Sequence, residues 1–301
     1  MRLDGRRQGR AGSEKTGVKR KIWLALFLLV VCGCGPGESG APDMKKAEQV
    51  PESWTVERVI LTPAESKRLI ARGLARYAPV RERMESGTVI ITRGSTNTAV
   101  VEELLQIRLA RATFLTGRFQ PEGSDRLEAQ GPVLGEVVIR DGVHVPEMKF
   151  IEALRTAREG DLIFKGANLV NYREKKAAVC IGHPAGGTMG LFMPFVESGK
   201  VRLIIPVGLE KQTSQDLDAL ELKSRAGYER NRAVPWLKVL PGEIFTEIEA
   251  IRQFAEVEVY QLASGGIAGA EGAVTLALEG TPDAVATALE VVASIQGEPP
   301  F

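Results

Sequence analysis

From residue 56 onward the chain alternates short β-branched runs with longer stretches whose apolar residues recur every three or four positions. Residues 59–61 read as a short strand. Thr62-Pro63-Ala64-Glu65 follows, with Thr62 as N-cap, Pro63 at the first helical position and Glu65 at the third, which predicts a capping box. Leu69, Ile70, Leu74 and Ala75 then share one helix face. Residues 88–92 predict a buried strand, and the turn Arg93-Gly94-Ser95-Thr96-Asn97 leads into a helix with Val100, Val101, Leu104 and Leu105 inside. Residues 113–119 and 137–140 read as strands, with Asp141-Gly142 as a hairpin signal. A helix over 150–158 precedes a buried strand at 161–164. Residues 177–181 predict another strand, followed by a helix, and 201–207 is the most apolar strand of the chain.

Strands alternating with helices and ending in glycine turns predict an α/β fold: a mostly parallel, Rossmann-like sheet with helices on both faces. The tail predicts a smaller unit, with strands at 257–262 and 274–278 and an amphipathic helix over 282–295 carrying Val285, Leu289 and Val292. The expected organisation is a leader at 1–33, a tether at 34–55, a main α/β domain at 56–235 and a small C-terminal α+β subdomain at 236–301.

The leader departs from this alternation. Lys19-Arg20-Lys21 precedes an unbroken apolar run over 22–32, too short to span a bilayer, which needs about 20 residues. A basic segment before a short apolar one is the layout of an export signal. Val31-Cys32-Gly33-Cys34 resembles the lipobox of bacterial lipoproteins, and that resemblance implies lipidation at Cys34 and cleavage before it. Gly, Pro and Ser over 35–42 suit a tether between lipid and domain. The expected location is the cell envelope, anchored to a membrane and facing the periplasm or the exterior. The alternative is translation from Met44, which would leave a cytoplasmic protein.

Charge refines the picture. The first 33 residues hold eight of the 39 Lys and Arg and two of the 38 Asp and Glu, so the remainder is mildly acidic. No clustered positive charge marks a nucleic-acid footprint. Of three cysteines, Cys32 and Cys34 lie at the leader boundary; Cys180 sits in an apolar strand and reads as an inert core residue. No metal-ligand spacing appears, and no cofactor is implied.

Three turns carry the candidate chemistry. Gly94-Ser95-Thr96-Asn97 stands between strand and helix, where unpaired N–H groups and the helix dipole favour an anion. The same residues are also ordinary capping types. Lys165-Gly166-Ala167-Asn168 places a cation and an amide at a strand end; a surface ion pair is the competing reading. Gly186-Gly187-Thr188 is a turn whose glycines let backbone approach a ligand closely. His183 reads as a loop hydrogen-bonder more readily than as a base, and Lys211 follows the last apolar strand. Residues 264–272 read as a ligand loop, an inter-subunit turn or a flexible hairpin. The partners expected are a membrane through the anchor, a small anionic ligand and a second copy of the chain, but no nucleic acid.

The order of these motifs resembles the superfamily of type A ribose-5-phosphate isomerases, glucosamine-6-phosphate deaminases and CoA transferases. Gly94-Ser95-Thr96 matches its phosphate loop, residues 165–171 its Asp-Gly-Ala-Asp segment, and Gly186-Gly187 its glycine turn. Residues 201–211 resemble its strand followed by Asp-x-x-Lys, and 237–241 the opening of its C-terminal subdomain. Where the isomerases carry carboxylates, this chain has Lys165, Asn168, Leu169, Asn171 and Gly208. The resemblance therefore implies the fold and an anion site, bounded by Gly94, Ser95, Thr96, Asn97, Lys165, Gly166, Asn168, His183, Gly186, Gly187, Thr188 and Lys211, without the acid–base groups of isomerisation. The two functions it leaves are binding of a small phosphate- or carboxylate-bearing metabolite and a non-catalytic role in envelope assembly.

Overall fold

A computed structural model describes residues 53–117, 119–125 and 127–300. The leader, Cys34 and most of the tether lie outside the described residues. In chain order the elements are β1 (Thr55–Leu61), α1 (Pro63–Arg76), α2 (Ala78–Glu85), β2 (Thr88–Ile91), α3 (Ser95–Leu105), β3 (Val137–Arg140), β4 (Val143–His144) and α4 (Phe150–Thr156). There follow β5 (Asp161–Phe164), β6 (Leu169–Asn171), β7 (Lys176–Ile181), α5 (Gly187–Glu197) and β8 (Val201–Pro206). The chain ends with α6 (Leu217–Arg230), β9 (Trp236–Leu240), β10 (Glu243–Phe245), α7 (Glu247–Arg252), β11 (Glu258–Ser264), β12 (Val274–Gly280) and α8 (Pro282–Ala293).

The central sheet has the order β10-β8-β5-β2-β3-β4. β10, β8, β5 and β2 run parallel, while β3 pairs antiparallel with both β2 and β4. The fold is thus α/β with a mixed six-stranded sheet. The antiparallel edge follows from Asp141-Gly142: both residues have positive φ (48° and 78°), the twist that a two-residue hairpin needs.

Both faces of this sheet are buried, and successive residues take opposite sides. Val89 and Ile91 of β2, Leu162 and Phe164 of β5 and Phe245 of β10 join one core with Leu69, Ile70 and Leu74 of α1, Val100 and Val101 of α3, and Leu276 of β12. Ile90, Ile163, Leu203, Ile205 and Ile244 join another, with Leu154 of α4, Phe192 of α5 and Val179 of β7. Strands buried on both faces read as continuous apolar runs, which is why 88–92, 161–164 and 201–207 are plain in the sequence.

Two expectations about strand placement are corrected. Residues 177–181 form a strand, but in a separate antiparallel sheet of order β6-β7-β9. Only four residues link β6 to β7, a hairpin length, whereas a parallel crossover needs a dozen or more. Residues 113–117 and 119 form no strand; Ala112 and Gly117 have φ of 61° and 57°, which breaks the extended backbone on either side of Phe114. The first strand, β1, pairs with β12 in a third sheet, β1-β12-β11, and β10 pairs with β8, so pairings cross the boundary expected at residues 235–236. The capping box at the start of α1 is present: the Glu65 amide donates to Thr62 Oγ1 (3.3 Å) and the Thr62 amide to Glu65 Oε2 (2.8 Å).

Candidate anion-binding cleft

Because β2, β5, β8 and β10 are parallel, their carboxyl ends share one rim. There β10 runs into Thr246 and Glu247. β8 runs into Gly208 and the 3₁₀ turn Leu209–Lys211. β5 leads to Lys165, and β2 to Arg93. A cleft of about 660 Å³ opens at this rim, a volume in the range of small-molecule sites. All twelve residues of the sequence-derived site line it: Gly94 to Asn97 after β2, Lys165, Gly166 and Asn168 after β5, His183 and Gly186 to Thr188 after β7, and Lys211 after β8.

Sequence reasoning missed two cations that also line it, Arg93 and Lys67. Arg93 directly precedes the glycine turn and was legible in principle. Lys67 lies on α1, and nothing local marks a helix-surface lysine as facing a site formed 30 to 140 residues later. Among the described lining residues four are Lys or Arg and none is Asp or Glu, although the chain beyond its leader carries more acidic than basic residues. A hollow of similar size, about 650 Å³, lies beside Trp54, Arg252 and Thr281, but no buried polar atom without a partner lines that one.

Two helices begin at the cleft. The N-cap of α3 is Gly94 and that of α5 is Gly186, and neither start has a side-chain cap. Of the other helices, α1, α6, α7 and α8 are capped by Thr62, Asp216, Thr246 and Thr281, while α2 and α4 also lack a side-chain cap. The first amides of an uncapped helix point outward with partial positive charge. Gly186 and Gly187 adopt φ of 85° and 55°, left-handed conformations that glycine enters without strain, and a Cβ at Gly186 would meet Gly190 at 3.0 Å.

Asn97, only 1% exposed, fixes the first turn of α3 to the rim. Its Nδ2 donates to the carbonyls of Thr92 (2.7 Å) and Phe164 (3.3 Å), so the orientation of the amide is set, and its buried Oδ1 has no hydrogen-bond partner. Asn168 is held the opposite way: its Oδ1 accepts the Cys180 amide (2.8 Å). The pair thus offers an acceptor from Asn97 and leaves the Asn168 amide nitrogen as a donor. Ser95 and Thr96 add hydroxyls.

Lys165 makes no ion pair or side-chain hydrogen bond among the described residues. Burial pulls its pKa below the ordinary lysine value; Glu136 opposes the shift and Arg93 adds to it. Arg93 Nε lies 3.5 Å from Glu136 Oε1, and Thr188 Oγ1 donates to the same oxygen (3.4 Å). Glu136, at the start of β3, therefore ties the mouth of α3 to the first turn of α5. Further along the rim Lys211 Nζ lies 3.4 Å from Glu210 Oε1. Lys67 is shifted down by burial and by Lys211, against Glu210. Behind them Glu247 is fully buried and accepts the Leu209 amide (3.0 Å); burial and the Glu210 charge push its pKa up to about 7.

His183 Nδ1 accepts the Ala185 amide (3.1 Å), which makes its neutral form an Nε2–H donor and supports the loop-bonding reading. Cys180 is half-buried and lines the cleft, so it is no core residue; burial raises its thiol pKa and keeps it protonated. Asn171 lies outside the lining: its Oδ1 accepts the Glu174 amide (3.1 Å) within its own hairpin, and its Nδ2 donates to Gln215 O (3.3 Å). At Gly208 an added Cβ would fall 1.8 Å from Glu210 Oε2, so the Glu210 carboxylate would have to move to admit one. Among the described residues no group of three or more His, Cys, Asp or Glu could hold a metal, and no helix is long and apolar enough to cross a membrane.

No protein-family model, curated protein or solved structure matches the chain.

Proposed function

We propose that this protein binds a small phosphate- or carboxylate-bearing metabolite in the rim cleft, as the water-soluble part of a lipid-anchored envelope protein. The observation that carries the reading is the lining: four cations, two uncapped helix starts and, among the described lining residues, no carboxylate. Lys165 is the principal counter-charge, since a lysine ammonium removed from water and left unpaired is costly until an anion reaches it. The amides of Ser95, Thr96 and Asn97 receive the anion from one side, and Gly186, Gly187 and Thr188 from the other. Asn97 Oδ1 and Asn168 orient the rest of the ligand. We read the four parallel strands that present this site as a Rossmann-like core carrying its ligand at the carboxyl ends of the strands.

Binding rather than acid–base turnover is favoured by the same lining. Proton transfer needs a positioned base, and the titratable groups of the described lining are lysines, Arg93, the protonated Cys180 thiol and His183, whose Nδ1 is already engaged. The test is calorimetry with inorganic phosphate and with glycerol 1-phosphate, on the wild type and Lys165→Met. Loss of one charge-assisted contact weakens binding about tenfold or more; equal affinity in the two proteins, or no binding to either, overturns the reading. The anchor rests on the basic segment, the short apolar run and Cys34. Mass spectrometry of the mature N-terminus checks it: a diacylated Cys34 is expected, and an unmodified start at Met44 would refute it.

A second reading, envelope assembly without a ligand, is favoured by exposed apolar residues on the β1-β12-β11 unit. Ile267 is 85% exposed, with Leu262 and Val56 both above half. It predicts a concentration-dependent oligomer in light scattering that Ile267→Ser dissociates.

A further inference from the structure

Of the lysines that line the cleft, Lys211 pairs with Glu210 and Lys67 is also engaged. Lys165 is largely withdrawn from solvent, yet its side chain makes no ion pair or hydrogen bond among the described residues. Its backbone, by contrast, is clamped from both sides. The Lys165 amide donates to Ile204 O of β8 (3.1 Å). The carbonyl before it, Phe164 O, accepts the Thr92 amide (3.1 Å), Thr92 Oγ1 (2.8 Å) and Asn97 Nδ2 (3.3 Å). Further along the same turn the Asn168 amide donates to Ala178 O (2.8 Å), and Asn168 Oδ1 accepts the Cys180 amide (2.8 Å). Lys165 thus presents an amine to the cleft from a fixed stem, with only its side chain free to move.

A lysine so placed has two uses. As an ammonium it is a counter-charge; as a free amine it is a nucleophile. Desolvation and a neighbouring cation are the two conditions that make lysine amines nucleophilic, and both hold here. Apolar Val179, Ile181 and Met189 share the lining with Lys165, and Arg93 stands at the end of the adjacent strand. Glu136, the carboxylate that would hold a proton on Lys165, is engaged by Arg93 (3.5 Å) and by Thr188 (3.4 Å). Burial and Arg93 accordingly favour the neutral amine over the ammonium, against Glu136. An anion drawn to Arg93 and to the first turns of α3 and α5 sits in the same hollow as this amine, which raises the effective concentration of any carbonyl group the anion carries. The hydroxyls of Ser95 and Thr96 and the amide nitrogen of Asn168 are donors of the kind a carbonyl oxygen accepts.

We propose that Lys165 captures the ligand of this cleft covalently, as an imine with a small anion that also carries an aldehyde or ketone. The class comprises 2-oxo acids and phosphorylated aldehydes and ketones. The Lys165 Nζ lone pair attacks the carbonyl carbon; the C–N bond forms, the carbonyl C–O bond breaks, and the oxygen leaves as water with the two amine protons. The step is reversed by water and involves no change of oxidation state. A proton taken from solvent makes the imine an iminium, so the adduct keeps the positive charge that the anion needs beside it. This rests on the anion-binding reading above and gives it a ligand class.

The experiment traps the imine on the full chain with sodium borohydride, using pyruvate and dihydroxyacetone phosphate as probes, and maps the adducts by peptide mass spectrometry. A trapped lysine is heavier by the probe less one oxygen. With at least one probe, Lys165 is expected to be labelled about tenfold or more above the exposed Lys149 and Lys223, and inorganic phosphate is expected to suppress the label on Lys165 alone. Labelling by pyruvate only points to a carboxylate-bearing ligand, and by dihydroxyacetone phosphate only to a phosphate-bearing one. Lys165→Arg keeps a cation and removes the amine, so it is expected to bind phosphate in calorimetry and to form no adduct; the wild-type map decides the matter should that variant fold poorly. If Lys165 is labelled no more than the exposed lysines by either probe, the imine proposal falls, and phosphate binding in the same preparation leaves the anion site standing. Selective labelling that phosphate does not suppress also overturns it, as does a cleft adduct on Lys67 or Lys211 that persists in Lys165→Arg. If Lys165 is unlabelled and phosphate does not bind, both readings fall together.

Discussion

Two clusters in this molecule bring buried cations beside carboxylates, and they solve the same electrostatic problem in opposite ways. Around Arg68, which is 3% exposed, the guanidinium is fully engaged: it donates to Glu102, to Glu103 (3.0 Å) and to Glu298 (2.7 Å), while Arg108 pairs with Glu102 and Glu298 from the outside. Burial disfavours the Arg68 charge, but bonds to Glu298 and Glu102 outweigh it and raise the pKa. At the rim cleft the balance is reversed. Arg93 and Lys165 lie by one carboxylate, Glu136, and Lys165 has no hydrogen-bond or ion-pair partner among the described residues. Satisfied charge holds α1, α3 and the C-terminus together; unsatisfied charge, placed where a hollow admits solutes, is available for binding.

The comparison predicts a division of labour that mutations can break. The largest effect belongs to the closed cluster. Arg68→Met leaves three carboxylates facing one another without their shared cation, a loss of about 3–5 kcal/mol by analogy with other broken buried pairs. Denaturant unfolding should show it, with phosphate affinity of the folded protein unaltered. An equal loss from Lys165→Met would erase the distinction between the clusters, since that lysine is expected to cost little stability or none.

Next in size is the pH dependence set by Glu247. Its folded-state pKa, about 7, lies above the ordinary carboxyl value of 4.5. Between those values the folded protein holds a proton that the unfolded chain has released. Stability therefore declines as pH rises from about 4.5 to about 7, by on the order of 3 kcal/mol, and levels off above that. Glu298 works the other way. Burial raises its pKa but the bonds and charges of Arg68 and Arg108 together more than reverse this, so its contribution is present at neutral pH and lost on acidification through its depressed pKa. Glu247→Gln keeps an acceptor for the Leu209 amide and should flatten the decline between pH 5 and 7 in urea titrations. A slope identical to the wild type's would place the proton elsewhere.

The two clusters also differ in how far the sequence announces them. The cleft was legible because its parts are local. Gly94-Ser95-Thr96-Asn97 and Gly186-Gly187-Thr188 are turns whose residue types declare backbone exposure, and Lys165 follows a run too apolar to be anything but a buried strand. The buried strands of the parallel core were legible for the same reason. The Arg68 cluster joins residues 68, 102 and 298, and nothing at any one position marks it. Lys67 escaped notice likewise, because its role depends on how α1 lies across the rim. Sheet assignment failed where pairing is distant: no feature of 55–61 says that its partner is 274–280, and 177–181 is apolar enough to pass for a parallel strand. Period and turn chemistry are written in the chain; which edge meets which, and whether two charges outnumber one, arise only from packing.

The smallest effect is the most discriminating, because it predicts a gain. Glu136 draws Arg93 and Thr188 together and is the carboxylate that most offsets the cations around Lys165. Were this cluster structural, like the one around Arg68, removing its carboxylate would only loosen the protein. If it is a site held short of negative charge, Glu136 competes with the ligand for the same donors. Glu136→Gln keeps an acceptor for Thr188 and Arg93 while deleting the charge, so phosphate should bind about threefold to tenfold tighter, with the gain fading as salt is raised. The variant should also lose a little stability in the absence of anion, as two cations remain with no counter-charge, and recover it when phosphate is added. Weaker phosphate binding in Glu136→Gln would mean that the carboxylate organises the cleft more than it opposes the ligand. The two clusters would then differ in degree and not in kind.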